Sequence, residues 1–338
     1  MKKHNSSRFL FVVISFFFTQ KIAKGSTYYE VQNFHVLLDE SPRYVIRVKD
    51  LLQCTLECTR SVNCLHVNFG VISHECQIFD KTIRLMVLPS KEFHYLKVMR
   101  SPCAQNPCKN ATECIDLAGM EFKCACAKQQ AGRLCQYNVI HHWVLTDDRE
   151  QGMSLVNGPT FLEGRTPGTK AIAFKNPPYP CYAELKTVQH YFVSFSIACW
   201  LRLNSNSDIQ VIFGDTGKPN RAFSLFAKKG PYLVFTRNSL DSSPRFRVQS
   251  RLLPIGRWCH VAVTWDQVNG IARVYVDAEE SGRQSFNVTK SWYAASKDGY
   301  RIGCYGYSAE SQLDGSMADL YIIEGALNRH DLNALMGS

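Results

Sequence analysis

The sequence predicts a mainly β, multidomain chain: a small disulfide-rich α+β module, a second short cysteine-built module, and a large antiparallel β-sandwich. Three observations predict it. Six cysteines, Cys103, Cys108, Cys114, Cys124, Cys126 and Cys135, fall within thirty-three residues. A stretch that short buries too little apolar surface to fold without covalent or metal staples. Beyond residue 139, runs of alternating apolar and polar residues recur between turns rich in Gly, Asn, Asp and Pro, the pattern of many short strands. The 14 cysteines also divide evenly, four in 26–100, six in 101–138 and four in 139–338, as expected where each domain closes its own bridges in an oxidising compartment.

The N-terminus fits that compartment. Lys2, Lys3 and Arg8 precede a ten-residue apolar run, Phe9 to Phe18, and Ala23-Lys24-Gly25 offers small residues for cleavage, so residues 1–25 read as a signal peptide. Ten apolar residues fall short of the roughly 20 that span a bilayer, and no later run approaches that length. The C-terminal Asn333 to Ser338 lacks the hydrophobic tail of a lipid-anchor signal. The expected product is secreted, in solution or in an extracellular matrix, with no membrane span.

The net charge of +10 overstates the mature chain, because residues 1–25 hold five Lys or Arg and no acid, leaving 34 basic against 29 acidic residues. The remaining +5 spreads over all three segments. Short clusters, Arg43/Arg47/Lys49 and Arg245/Arg247/Arg251, read as solvated faces. Nucleic acid is excluded as a partner by compartment, and the chain is not acidic enough to template mineral. Cys124-Ala125-Cys126 has one intervening residue, too tight for a zinc knuckle.

In residues 26–100, Lys49 to Arg60 reads as a short helix with Asp50 as N-cap and Leu51, Leu52 and Leu56 as its apolar stripe. Cys54 and Cys58 lie four apart, on one helical face. Cys64 and a strand-like Glu75-Cys76-Gln77-Ile78-Phe79 follow. This C-x3-C-x5-C-x11-C pattern resembles the PAN/apple family, and the resemblance implies the bridges Cys54–Cys76 and Cys58–Cys64. It also implies a module that binds proteins or carbohydrates and catalyses nothing.

The gaps of four, five, nine, one and eight residues between the six clustered cysteines resemble an EGF-like module over 101–138. That resemblance implies Cys103–Cys114, Cys108–Cys124 and Cys126–Cys135. Gly132 fits the tight turn before the last cysteine. Val98 to Pro102 supplies no acid before the first cysteine, and after Asp116 the aromatic Phe122 comes one residue late for the hydroxylation pattern. A calcium-free module is expected. Asn110-Ala111-Thr112 is a glycosylation acceptor within it, and Asn287-Val288-Thr289 is a second one further on.

Residues 139–338 suffice for one sizeable core. Strands are expected at Phe195–Leu203, Cys259–Trp265, Ala272–Asp277 and Ala318–Ile323, in an antiparallel sandwich. Arg257 to Asp266, with Gly270 and Val274-Tyr275-Val276-Asp277, resembles the central hairpin of the laminin G/pentraxin jelly rolls, which are concanavalin-like. The resemblance implies Cys199–Cys259 and leaves Cys181–Cys304 as the second pair. The late run that holds calcium in pentraxins is here Ile302 to Gly315, with Glu310 and Asp314 its carboxylates, so no two-metal site is expected. Calcium is left open only at the loop acids Asp208, Asp215 and Asp298.

Catalysis finds no support. Asp277, Glu279 and Glu280 are the nearest carboxylate cluster and lack the spacing of a glycosidase pair across a cleft. No G-x-S-x-G is present, and His141-His142 beside Trp143 reads as surface. The module order is similar to that of extracellular and skeletal organic matrix proteins of cnidarians. The expected function is therefore a non-enzymatic adhesion or matrix protein with extracellular proteins or glycans as partners. A glycan-recognition protein using the sandwich rim is the alternative.

Overall fold

The computed structural model describes residues 27–38, 41–61, 63–80, 87–100, 102–117, 121–147, 152–174, 181–185, 193–216, 221–240, 245–293, 299–304 and 311–337. The expected signal peptide lies outside them. The chain divides into two compact units, 1–107 with 114–123, and 108–113 with 124–338.

The first unit is one antiparallel sheet and one helix. Its elements are β1 (Thr27–Leu38), β2 (Tyr44–Arg47), α1 (Leu51–Arg60), β3 (His66–Gly70), β4 (Glu75–Phe79) and β5 (Val87–Arg100), with sheet order β1-β5-β3-β4-β2. Asp50 caps α1, its Oδ1 accepting from Gln53 N–H at 2.9 Å. The disulfides Cys54–Cys76 and Cys58–Cys64 tie the helix to β4 and to the loop before β3. They also decide which face is buried. Cys54, Thr55 and Cys58 point inward, whereas Leu52 and Leu56, expected in the apolar stripe, are 47% and 49% exposed. Two covalent anchors on one face outweigh two leucines on another.

The six clustered cysteines form Cys103–Cys114, Cys108–Cys124 and Cys126–Cys135. Cys114 lies in β6 (Ala111–Leu117), and Cys124 and Cys126 lie in β7 (Glu121–Cys126), two strands that pair as a hairpin. Gly132 adopts φ +92° and its carbonyl accepts from Cys135 N–H at 3.0 Å. A Cβ there would meet the Tyr137 ring at 2.7 Å, so only glycine fits. Next come β8 (Gln130–Ala131) and β9 (Tyr137–Trp143), and β9 pairs with a sandwich strand rather than ending a separate module.

The second unit is a two-sheet sandwich. One sheet of seven strands uses β10 (Met153–Val156), β13 (Tyr182–Leu185), β15 (Ile209–Asp215), β16 (Phe223–Lys228), β17 (Tyr232–Arg237), β18 (Phe246–Leu252) and β22 (Tyr300–Ile302), in the order β10-β13-β22-β15-β16-β17-β18. The other uses β11 (Thr160–Glu163), β12 (Lys170–Phe174), β14 (Phe195–Leu203), β19 (Cys259–Asp266), β20 (Ile271–Val276), β21 (Glu279–Ser285) and β23 (Gly315–Glu324), in the order β11-β12-β23-β14-β19-β20-β21, with β8 and β9 attached.

Alternation puts Phe195, Ile197, Cys199, Leu201 and Leu203 of β14 into the shared core with Phe213, Phe223, Phe235 and Trp265. Arg237 is also inside. Its guanidinium lies 4.5 Å from the Trp265 ring centroid and 5.2 Å from that of Phe195, and burial lowers its pKa to about 9. On the outside of the nine-stranded sheet, α2 (Arg329–Met336) buries Leu332 and Leu335 against Ala198, Ala262 and Tyr275. Asp331 completes its capping box and also accepts from Arg133 N–H at 2.9 Å and Gln136 Nε2 at 2.8 Å.

The expected Cys199–Cys259 cross-link is not among the disulfides; Cys181, Cys199, Cys259 and Cys304 are all buried. The ladder gives the reason. Cys199 lies opposite Val261 and Cys259 opposite Leu201, so the two are diagonal neighbours. That diagonal is usually about 7–8 Å, beyond the usual Cα separation of a disulfide. The Cys259 thiol instead donates to the Leu201 carbonyl at 3.6 Å. Cys181 and Cys304 follow on from the β13–β22 register, where buried Gln312 accepts from Cys181 N–H at 2.7 Å and donates to the Gly303 carbonyl at 3.1 Å.

Candidate binding face

The residues singled out from the sequence do not converge. Asp208 is exposed beside Lys229, at 3.8 Å. Asp215 is fully buried and accepts from Ala222 N–H at 2.8 Å, so it is committed to the backbone. Asp314 accepts from Asn204 Nδ2 at 3.3 Å. Asp298 and Glu310 lie outside the described residues. Among the described residues, no three His, Cys, Asp or Glu side chains gather to hold a metal ion.

The Asp277/Glu279/Glu280 cluster is likewise dispersed. Asp277 accepts from His260 N–H at 2.8 Å, Glu279 pairs with Arg329, and Glu280 takes two bonds from Arg283 at 2.7 and 2.8 Å. The Arg283 hydrogen bonds hold the Glu280 carboxyl below the usual carboxylate range. Three carboxylates each committed to a different donor are not an acid/base pair. His142 stacks on Tyr321 and approaches Asp319 at 3.2 Å, and His141 stacks on Trp143.

What the register does bring together is a polar row that the sequence does not announce. On the seven-stranded sheet, Ser154 lies opposite Glu184, Glu184 opposite Arg301, and Arg301 opposite Gly214. The row continues through Ser224 and Thr236 to Arg247. Each is flanked in its own strand by residues of the core, save for buried Asp215 beside Gly214 and buried Arg237 beside Thr236, so the row lies on the outward face. Arg301 Nε donates to Glu184 Oε1 at 3.0 Å, and its Cζ sits 4.5 Å from the Tyr182 ring centroid. Partly buried Phe226 stands two residues beyond Ser224 on the same face.

The centre of the row, Gly214, Ser224 and Thr236, is small and buried, whereas Arg247 and Ser154 at the two ends are exposed. Along the terminal strand β18, Arg247 and Arg251 point outward and are exposed. The surface-reaching members, Ser154, Glu184, Arg301 and Arg247, with Tyr182 and Phe226 alongside, offer donors, an acceptor and aromatic faces to a polar ring compound. It holds no nucleophile with a base within reach. The row could not be found from sequence because Glu184 and Arg301 are 117 residues apart. The local signal, one outward polar residue between two apolar ones, is present at Ser154, Glu184, Ser224, Arg247 and Arg301 but not at Gly214 or Thr236.

The outward face of the nine-stranded sheet carries a second cluster. Trp200 meets His260 edge-on at 5.3 Å, and exposed Arg165 lies 4.2 Å over the Trp200 ring. His260 is 1% exposed and its Nδ1 has no hydrogen-bond partner. Burial first, then the Arg165 charge, lowers its pKa to about 4, with Asp319 opposing.

Residues 28–103 match the family model of the PAN domain. Residues 181–333 match a laminin G-type model of the concanavalin A-like lectin/glucanases superfamily. Among solved structures, domain 4 of AbnA, a GH43 extracellular arabinanase from Geobacillus stearothermophilus in complex with arabinotriose, is 18% identical with a TM-score of 0.46, covering 59% of this chain and 98% of that one. The binding domain of botulinum neurotoxin serotype D/C is 14% identical with a TM-score of 0.46, over 59% of this chain and 51% of that one; this chain therefore spans about half that domain's length. A heptameric SAP-like pentraxin from Limulus polyphemus is 18% identical with a TM-score of 0.38, over 48% of this chain and 79% of that one. No curated protein matches the sequence.

Proposed function

We propose that this chain is a secreted, non-enzymatic adhesion or matrix protein that binds glycans through the outward face of the seven-stranded sheet and other matrix components through its N-terminal modules. Residues 1–25 are removed on export, and 101–138 act as an EGF-like spacer. The single observation that carries the glycan reading is the in-register row from Glu184 and Arg301 through Ser224 and Thr236 to Arg247. Disulfide-built modules and the PAN and laminin G-type matches support the extracellular binding role. Among the described residues no helix is long and apolar enough to cross a membrane.

Binding by such a face needs no metal. Several weak faces on one chain give avidity when a matrix presents many copies of each ligand. The test is a glycan array probed with the full secreted chain, with calcium and with chelator, alongside Arg301→Met. Calcium-independent binding that drops at least about tenfold in the variant, the loss of one charge-assisted contact, supports the face. Binding to no glycan, or binding indifferent to Arg301→Met, refutes it.

A further inference from the structure

The two Asn-x-Thr sequons sit in opposite chemical states, and we propose that Asn287 carries an N-linked glycan while Asn110 does not, its amide serving as a structural strut. The inference rests on the export proposed above.

At Asn287 the side-chain Oδ1 accepts from Thr289 N–H at 2.9 Å and from Thr289 Oγ1 at 2.8 Å. The residue is exposed, as are Val288 and Thr289. Both bonds fall on the oxygen, so they withdraw electron density through the amide and leave the Nδ2 hydrogens directed at solvent. In the transfer reaction one Nδ2–H bond breaks and Nδ2 bonds to C1 of an oligosaccharide. The donor's C1–O bond breaks, a polyprenyl diphosphate departs with that electron pair, and the Nδ2 proton passes to a base of the transferase.

At Asn110 the same nitrogen is already spent. Nδ2 donates to Gln130 Oε1 and to the Cys135 carbonyl, each at 3.2 Å. A glycosylated amide keeps one N–H, so at most one of these two bonds survives. The hydroxyl that would activate the amide is also committed, Thr112 Oγ1 donating to the Ala125 carbonyl at 3.0 Å. Neighbouring backbone is held by Lys109 N–H to the Leu134 carbonyl at 2.8 Å and by the Cys108–Cys124 disulfide. Once that bridge closes, the sequon cannot reach the arrangement seen at Asn287.

The experiment is expression of the full chain in eukaryotic secretory cells behind a strong heterologous export signal, so that failure of the natural leader is measured separately. Site occupancy is read by peptide mapping after amidase release of glycans. The expected result is Asn287 occupied and Asn110 empty, with Thr289→Ala abolishing the one glycan-dependent gel shift and Thr112→Ala causing none. Adding dithiothreitol during synthesis, which keeps Cys108–Cys124 open, should raise Asn110 occupancy and leave Asn287 unchanged. Asn110→Asp should lower the thermal midpoint and Asn287→Asp should not. Occupied Asn110 in the oxidised secreted protein, or empty Asn287, overturns the proposal.

Discussion

His260 gives the sandwich a predictable acid sensitivity. Its imidazole is 1% exposed, and burial, with the Arg165 charge, lowers its pKa from 6.5 to about 4. The unfolded chain takes up a proton near pH 6.5 and the folded chain only near pH 4. Stability is therefore unaffected by this group above about pH 6.5, falls as pH drops from there to about 4, and levels off below. A difference of that size corresponds to about 3 kcal/mol, to order of magnitude. All five tryptophans lie at or beyond Trp143, so urea unfolding followed by tryptophan fluorescence reports the sandwich alone. The wild-type protein should lose about 3 kcal/mol more than His260→Gln between pH 7 and pH 4. If Gln is not tolerated at this buried site, an NMR titration of the wild-type imidazole reads the same quantity. Parallel curves for the two proteins, or an imidazole titrating near 6.5, would refute the reasoning.

Other consequences follow from the same packing. Asp331→Ala removes an N-cap partner and the acceptor for Arg133 N–H and Gln136 Nε2; a loss of about 2–4 kcal/mol and faster proteolysis in 129–137 are expected, measurable by urea titration and timed digestion. Gly282→Val places a Cβ 1.9 Å from the Gln249 carbonyl, so β21 must shift; a drop in thermal midpoint or loss of soluble expression is the readout, and an unchanged midpoint would contradict the β18–β21 contact. Burial raises the thiol pKa of Cys199 and pushes that of Cys259 up to about 12. Neither should react with a thiol reagent at pH 8 in the native protein, and both should do so in denaturant without reductant, as mass spectrometry of the alkylated peptides would show. A disulfide formed between them after export would instead leave both unlabelled in denaturant.

Much of the architecture was legible in the chain because its signals are local. Cysteine spacing exposes a module too short to fold unaided, and apolar residues at every second position of Phe195–Leu203 and of Cys259–Trp265 mark strands. The Asp50 cap needed only a turn of helix to read. The leucine stripe of α1 misled because tether geometry, invisible in a propensity argument, set that helix's buried face. The long β1–β5 ladder escaped notice for a related reason: its partners are some sixty residues apart.

The sequence by itself determined the class of fold and marked the PAN and concanavalin-like segments, since each depends on residue type and near-neighbour spacing. Only the tertiary structure decided which side chains share a surface. Register placed Glu184 beside Arg301, set Cys199 diagonal to Cys259, and spent the Asn110 amide on Gln130 and Cys135. Hydrogen-bonded ladders fix position to within one residue, and a shift of one residue turns a side chain to the opposite face; no pattern confined to a single strand carries that information.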